Sequence, residues 1–159
     1  MQPAEMDEVM GRHFAAEAAH DVDAIVATLT EDVIHDVVGD PTGVLRDREA
    51  IKQRYRQQFA DMGDEQVEPI RRLYGDDFLV DEAMVTMRAT GMMLGIPGRN
   101  REVAFRLMHV CEFRDGRISR ENVWMDVAAI VAQLTAPEPP APTDRPPAAV
   151  PSAASRSGH

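Results

Sequence analysis

The spacing of the apolar residues changes midway along this chain, and the change limits the folds it can adopt. Over most of the first 62 residues, apolar side chains recur every three or four positions, as in helices that bury one face. After residue 65 they recur every second position, as in strands with one buried face. Helices followed by successive strands predict an α+β fold, with helices packed on one face of a curved, mainly antiparallel sheet.

Three helices are predicted in the first part. Residues 4–19 place six side chains on one helical stripe: Met6, Val9, Met10, His13, Phe14 and Glu17. Asp21 and Asp47 are predicted to cap a second and a third helix. Between them, the valine-rich run 33–38 predicts a strand that ends at the turn Gly39-Asp40-Pro41.

Four strands and a closing helix are predicted in the second part. The clearest strand alternates from Val103 to Phe113 and is followed by the hairpin pair Asp115-Gly116. The other predicted segments are the strands Val67–Tyr74, Ala83–Met93 and Ile118–Asp126 and the helix Val127–Leu134. A sheet of this kind curves around a hollow beneath the helices, which predicts a small-molecule pocket.

The end of the chain differs in composition from the rest. Seven of the eleven prolines lie within residues 136–159, where alanine and serine fill most other positions. Val150 is the one large aliphatic residue there, so burial cannot offset the entropy of ordering this stretch. We expect a folded domain over 1–135 and a disordered tail over 136–159.

Charge and composition exclude several classes of function. The net charge of −10 argues against binding to nucleic acid or to an anionic membrane surface, because both are held by clustered Lys and Arg. A single cysteine, Cys111, excludes an internal disulfide framework and a thiolate metal cage. The chain has no apolar run of membrane-spanning length and no secretory signal at its start. We expect a cytoplasmic protein.

Four ionisable side chains lie on segments that should face the pocket: His13, Asp36, His109 and Glu121. His35 is an alternative to Asp36, because neighbouring strand residues face opposite sides. Each of these side chains is also compatible with a structural role, such as a hydrogen-bonded histidine in the core or a salt-bridged carboxylate. Cys111 is interpreted as a core residue.

Carboxylates and imidazoles in an apolar wall suit the removal of a proton from a carbon next to a carbonyl group. A carboxylate takes the proton, and imidazole N–H groups stabilise the enolate oxygen. The same groups also suit a metal site, but they come from separate elements without a recurring motif, and we expect no metal. Gly91, Gly95 and Gly98 do not match a dinucleotide-binding loop, and we expect no cofactor.

The chain resembles the SnoaL-like polyketide cyclase and ester cyclase group of the nuclear-transport-factor-two-like superfamily. The resemblance covers about residues 6–134. It rests on the motifs HDVDAIV at 20–26, EDV at 31–33, EAI at 49–51, LGIP at 94–97, VAFR at 103–106, FRDGRI at 113–118 and WMD at 124–126. The superfamily also contains ketosteroid isomerases, scytalone dehydratases and limonene-epoxide hydrolases, and its cone-shaped fold matches the α+β prediction.

The resemblance implies roles for the four ionisable residues. Asp36 falls where the isomerases have their catalytic aspartate, His13 where they have an oxyanion-hole tyrosine, and His109 where they have a protonated aspartate. Glu121 lies two residues before Val123, the equivalent of the acid/base aspartate of the cyclases. The resemblance also implies a homodimer that packs through the outer sheet face, with five candidate contacts: Met84, Arg88, Met108, Asn122 and Trp124.

We therefore predict a small-molecule enzyme that transfers protons on an apolar carbonyl compound, as a polyketide cyclase or as an isomerase or dehydratase. The alternative is a non-catalytic ligand-binding or dimerisation module of the same fold. Epoxide opening would need an Asp–Arg–Asp set, whereas Arg106 is predicted to face away from His109. The predicted substrate-binding residues are Phe14, His35, Tyr55, Phe59, Phe105, Leu107, Val123 and Met125.

Overall fold

The computed structural model describes residues 1–137. From residue 138 onward, the predicted tail lies outside the described residues. The described part contains four helices, α1 (Pro3–Ala18), α2 (Val22–Ala27), α3 (Arg48–Asp61) and α4 (Val127–Thr135). The seven strands are β1 (Leu29–Val38), β2 (Met62–Tyr74), β3 (Phe78–Ala89), β4 (Met92–Met93), β5 (Ile96–Pro97), β6 (Arg101–Arg114) and β7 (Arg117–Met125).

Five long strands form one sheet in the order β1-β7-β6-β3-β2, and β4 and β5 form a separate small hairpin. Only the pair β1 and β7 is parallel in the large sheet. The predicted α+β architecture, with helices on a mainly antiparallel sheet, is confirmed.

The local signals for helix starts and for one hairpin act as predicted. The side chains of Asp21 and Asp47 accept hydrogen bonds from backbone N–H groups of the first turns of α2 and α3, as predicted. Asp126, for which no cap was predicted, does the same for α4. Asp115 and Gly116 both have positive φ angles, of 53° and 71°, as the tight turn between β6 and β7 requires.

Several strands extend further than their apolar patterns predict, and the largest extensions are at the starts of β3 and β2. β3 begins at Phe78 instead of Ala83, because its first residues pair with the end of β6, Phe78 opposite Glu112. β2 begins at Met62 instead of Val67 and pairs there with the end of β3. Cross-strand hydrogen bonds therefore continue where the sequence shows no alternation.

The buried residues form two clusters on the concave side of the sheet. One lies under α1 and α2 and includes Met6, Met10 and Ile25. The other lies between α4 and the middle of the sheet and includes Met87, Phe105 and Ile130. Among residues 1–137, no helix combines the length and the apolar character needed to cross a membrane.

Candidate active site

A cavity of about 800 Å³ opens between the helices and the concave face of the sheet. Its volume lies in the range of known small-molecule sites, roughly 300–1,000 Å³. Nine of the predicted site residues line it: Phe14, His35, Tyr55, Phe105, Leu107, His109, Glu121, Val123 and Met125. The rest of the wall is largely apolar and includes Val85, Met87 and Met93. The predicted pocket is therefore present.

One carboxylate on this wall is surrounded by three imidazoles. Glu121 on β7 is fully buried. Its Oε1 lies 3.4 Å from Nε2 of His13 and 3.9 Å from Nε2 of His109, and its Oε2 lies 3.6 Å from Nε2 of His35. The adjacent strands β1, β7 and β6 and the helix α1 each contribute one member of this cluster.

Hydrogen bonds fix the orientation of His13. Its Nδ1 lies 2.7 Å from the hydroxyl of Thr28, and that hydroxyl donates to the carbonyl of Ile25 over 2.6 Å. The hydroxyl oxygen therefore accepts the Nδ1–H of His13. Nε2 is directed towards Glu121 and also lies 3.4 Å from Oε1 of Glu17 and from the hydroxyl of Tyr55.

The surroundings of His13 make it a buried cation. Burial by itself would lower the pKa of His13, but the charges of Glu121 and Glu17 outweigh burial and raise the pKa to about 10. Burial would likewise raise the pKa of Glu121, but the His13 charge holds that pKa well below its usual range. An imidazolium and a carboxylate therefore form an ion pair next to the cavity at neutral pH.

His35 differs from His13 in its charge. Burial lowers the pKa of His35, and the charge of Glu121 only partly opposes this effect. A histidine with a lowered pKa is neutral at pH 7 and can accept a proton. The site therefore holds a charged and a neutral imidazole on the same carboxylate.

Several buried polar atoms of the cluster have no hydrogen-bond partner. They are both carboxylate oxygens of Glu121 and the Nδ1 atoms of His35 and His109. The contacts of 3.4–3.9 Å around Glu121 are longer than ordinary hydrogen bonds. Unpartnered polar atoms are rare inside proteins, so this group of atoms at a cavity makes the cluster a candidate ligand site.

Asp36 is not on the cavity wall, and the placement predicted for it is wrong. Along β1, His35 and Val37 line the cavity, whereas Asp36 lies on the opposite face of the sheet next to Asn122 of β7. Neighbouring strand residues point to opposite faces, so only one of the pair can enter the site. Asp36 therefore lies outside the cavity, and His35 is the residue of the pair that lines it.

Two further residues lie elsewhere than predicted. His13 is not part of the wall but lies behind Glu121, where it is fully buried. Phe59 does not reach the cavity, because its ring stacks on His20 with a centroid separation of 4.2 Å.

Sequence reasoning did not assign a role to the other polar residues on the wall, among them Glu17, Asp40, Arg54 and Asp81. The position of Glu17 was readable, because it follows His13 by one helical turn on the same stripe. Arg54 carried no such signal, since it lies among polar residues of α3.

Donor atoms of His13, Glu17 and Glu121 all lie within 4.8 Å of one another, so these three residues are able to hold a metal ion. A metal takes the neutral form of an imidazole. The raised pKa of His13 keeps a proton on Nε2, and an ion would have to displace this proton. The arrangement therefore suits proton chemistry without requiring a metal.

Comparisons with solved structures establish the fold. A candidate SnoaL-like polyketide cyclase from Jannaschia sp. CCS1 superposes with a TM-score of 0.76 at 18% identity, over 87% of this chain and 98% of the other. TsrD from Streptomyces laurentii gives 0.74 at 22% identity, over 86% and 99%. An epoxide hydrolase of Mycobacterium tuberculosis gives 0.64 at 20% identity, over 82% and 90%.

Comparisons of the sequence identify the family. A search among curated proteins found no match. The family model of the SnoaL-like domain matches residues 10–121, which include the three histidines of the cluster and Glu121. This chain therefore belongs to the SnoaL-like domain family.

Proposed function

We propose that this protein is a small-molecule enzyme that transfers a proton on an apolar carbonyl compound. The observation that carries the proposal is the carboxylate of Glu121, which contacts three imidazoles at the wall of the cavity. A binding pocket needs few polar groups to orient a ligand. Three imidazoles around one buried carboxylate, with unpartnered atoms, are more ionisable groups than the orientation of a ligand requires.

The first step is the removal of a proton from the carbon next to the substrate carbonyl. His35 is the base, because its lowered pKa leaves it neutral at pH 7. The imidazolium that forms lies 3.6 Å from Oε2 of Glu121. The carboxylate thus stabilises the positive charge that develops during the reaction.

The substrate electrons move onto the carbonyl oxygen, which becomes an enolate. His109 faces the same cavity and supplies an N–H donor to that oxygen. Return of the proton to another carbon completes an isomerisation. Attack of the enolate carbon on a second carbonyl closes a ring, and the proton held by His35 passes to the new alkoxide. In a dehydration, that proton passes to a neighbouring hydroxyl, which leaves as water.

The ion pair of His13 and Glu121 prepares the site before the substrate arrives. His13 is locked by Thr28, so it holds Glu121 in one orientation and keeps it ionised. A preorganised charge needs no rearrangement during the reaction. The similarity to solved structures named as candidate polyketide cyclases favours ring closure among the three outcomes.

The proposal can be tested without knowledge of the natural substrate. A cyclohexanone with an alkyl side chain is incubated with the full-length protein in D₂O, and deuterium uptake next to the carbonyl is followed by NMR. Proton transfer by a positioned group is worth roughly 10²–10⁴-fold in rate. We expect uptake well above the buffer rate with the native protein and a loss of that size with His35→Gln.

Asp36→Asn is the matched control, because it changes the neighbouring residue on the other face of the same strand. Its exchange rate should equal that of the native protein. If the ketone binds, as shown by a raised melting temperature, but exchanges at the buffer rate, the protein is a ligand-binding module and the catalytic proposal is wrong.

We also propose that a second copy of the chain packs on the convex face of the sheet. Trp124 is 46% exposed on this face. The amide oxygen of Asn122 on the same strand is buried and has no hydrogen-bond partner. Met84 and Met108 are half-buried on the same face. Light scattering after size exclusion should give twice the chain mass, and Trp124→Arg should give the chain mass alone.

A further inference from the structure

We infer that Arg54 is a second anchor in the cavity and that it binds an uncharged oxygen acceptor of the ligand, such as an ester or ketone carbonyl. This inference deepens the proposed function, on which it rests, because it specifies a second polar group on the substrate.

The side chain of Arg54 is buried although it carries a charge. Arg54 extends from α3 to the cavity wall, and its side chain is only 9% exposed. Nη2 lies 3.0 Å from Oδ2 of Asp40, and Nη1 is buried with no hydrogen-bond partner. A guanidinium has five N–H donors, and leaving a buried one unused is unfavourable.

The partly buried arginines Arg48, Arg72 and Arg101 have hydrogen-bond partners and no buried nitrogen without one. Arg72 contacts both Asp7 and Asp81, and Arg48 contacts Glu31 and the carbonyl of Val26. Arg101 donates to two carbonyls at the end of α4. Within residues 1–137, Arg54 is the one arginine with a buried and unpartnered nitrogen, and it is also on the cavity wall.

The chain holds Asp40 in place against Arg54. Oδ1 of Asp40 accepts the backbone N–H of Thr42, and the carbonyl of Asp40 accepts that of Gly43. The loop is attached to β1 by two backbone hydrogen bonds between Leu45 and His35. The loop after β1 therefore fixes Asp40, and with it the ion pair to Arg54, at the cavity wall. The same loop is hydrogen-bonded to His35.

The charges nearby favour a neutral ligand group. Asp40 already compensates Arg54, and the other acids on the wall include Glu17, Asp81 and Glu121. The whole chain carries −10. A carboxylate would add a negative charge to this surface, whereas a carbonyl oxygen accepts from Nη1 without one.

Arg54 and the imidazoles act on one ligand. Tyr55, the next residue of α3, packs against His35 with a ring separation of 5.6 Å. The positive charge of Arg54 also contributes, after burial, to the lowered pKa of His35. A molecule whose first carbonyl lies at His35 and His109 therefore has its second oxygen within reach of α3.

The test compares three probes: the alkyl cyclohexanone, the same ketone with an ethyl ester at the matching place in its side chain, and the corresponding free acid. Calorimetric titration of the native protein should favour the ester over the alkyl ketone by roughly tenfold or more, as expected for a hydrogen bond to a charged donor. The free acid should bind more weakly than the ester.

Two variants remove the donor without leaving an unpaired charge. Arg54→Lys keeps a cation for Asp40 but lacks the second nitrogen. The double variant Arg54→Gln with Asp40→Asn keeps neither charge. Both should lose the tenfold preference for the ester. Arg56→Lys is the control, because Arg56 lies on the same helix but pairs with Glu49 outside the cavity.

An unchanged preference in folded Arg54→Lys and in the double variant would overturn the inference, as would tighter binding of the acid than of the ester. Deuterium exchange separates this failure from that of the proposed function. If exchange depends on His35 but the preference for the ester is unchanged in the Arg54 variants, only the proposed anchor is wrong. If the preference for the ester is lost in the Arg54 variants and none of the probes takes up deuterium, the anchor is supported and the proposed catalysis is wrong.

Discussion

The two faces of the sheet use similar charged residues in different ways. On the convex face, Glu82 contacts both Arg71 and Arg106, and Arg88 contacts Asp64, with most of these groups partly in solvent. On the concave face, Glu121 is fully buried among imidazoles, and both of its oxygens lack a hydrogen-bond partner. Ion pairs in solvent add little stability, while buried and incompletely paired charges are costly to keep. The convex charges therefore need no ligand to account for them, whereas the concave ones fit the ligand site proposed above.

The largest expected difference between the two faces is in the rate of proton exchange after substitution of two adjacent residues, His35 and Asp36. His35→Gln should slow proton exchange roughly 10²–10⁴-fold, because His35 lines the cavity and is the base in the proposed reaction. Asp36→Asn should leave the exchange rate unchanged, because Asp36 is on the convex side. NMR measurement of the exchange rates of both variants tests this difference. Equal losses in the two variants would contradict the assignment of the faces.

The next difference concerns stability. Glu121→Gln should lower the free energy of unfolding by about 3 kcal/mol, because it removes one partner of a buried ion pair. Glu82→Gln should leave that free energy nearly unchanged, because its partners Arg71 and Arg106 are largely in solvent. Urea denaturation of the two variants measures both effects. A larger loss for Glu82→Gln would invert the comparison.

The pH dependence sharpens the same comparison. The pKa of His13 is about 10 in the folded chain, above the ordinary value of 6.5. The stabilisation from its charge is therefore complete below pH 6.5 and is lost as the pH rises through 10. The difference in unfolding free energy between the native chain and Glu121→Gln should shrink over this window. If this difference in unfolding free energy stays constant from pH 6.5 to 10, Glu121 does not raise the pKa of His13.

The smallest effect is expected for the residue that orients His13. Thr28→Val removes the hydroxyl that accepts from Nδ1 over 2.7 Å and should lower the free energy of unfolding by about 1–2 kcal/mol. Thr28→Ser keeps that hydroxyl and serves as the control. If Thr28→Val is as stable as Thr28→Ser, the hydrogen bond does not hold the ring.

The sequence identified the histidines and the carboxylate of the cluster as candidate site residues, but it did not show which of them contact each other. Helical spacing identified His13 on the buried face of α1, and strand alternation identified His109 and Glu121 on buried faces. The choice between His35 and Asp36 was open, because a valine-rich strand shows no alternation that marks its inner face. That choice depends on the pairing of β1 with β7, in which His35 lies next to Glu121.

The anchor proposed at Arg54 illustrates what sequence patterns leave out. An arginine among the polar residues of an amphipathic helix is ordinarily in solvent. Here the loop after β1 folds over it and supplies Asp40, so the side chain becomes buried. Burial of this kind comes from a contact between two segments, and neither segment shows it alone.

The sequence by itself determined the elements, because their causes are local. Apolar spacing, the capping aspartates and the Asp115-Gly116 turn act within a few residues of each other. Only the tertiary structure decided which groups meet. Glu121 contacts His13 and His35 from more than eighty positions away in the chain, because a curved sheet brings α1, β1 and β7 to one place. The charges of His13 and Glu121 follow from that contact and from burial, neither of which exists until the chain has folded.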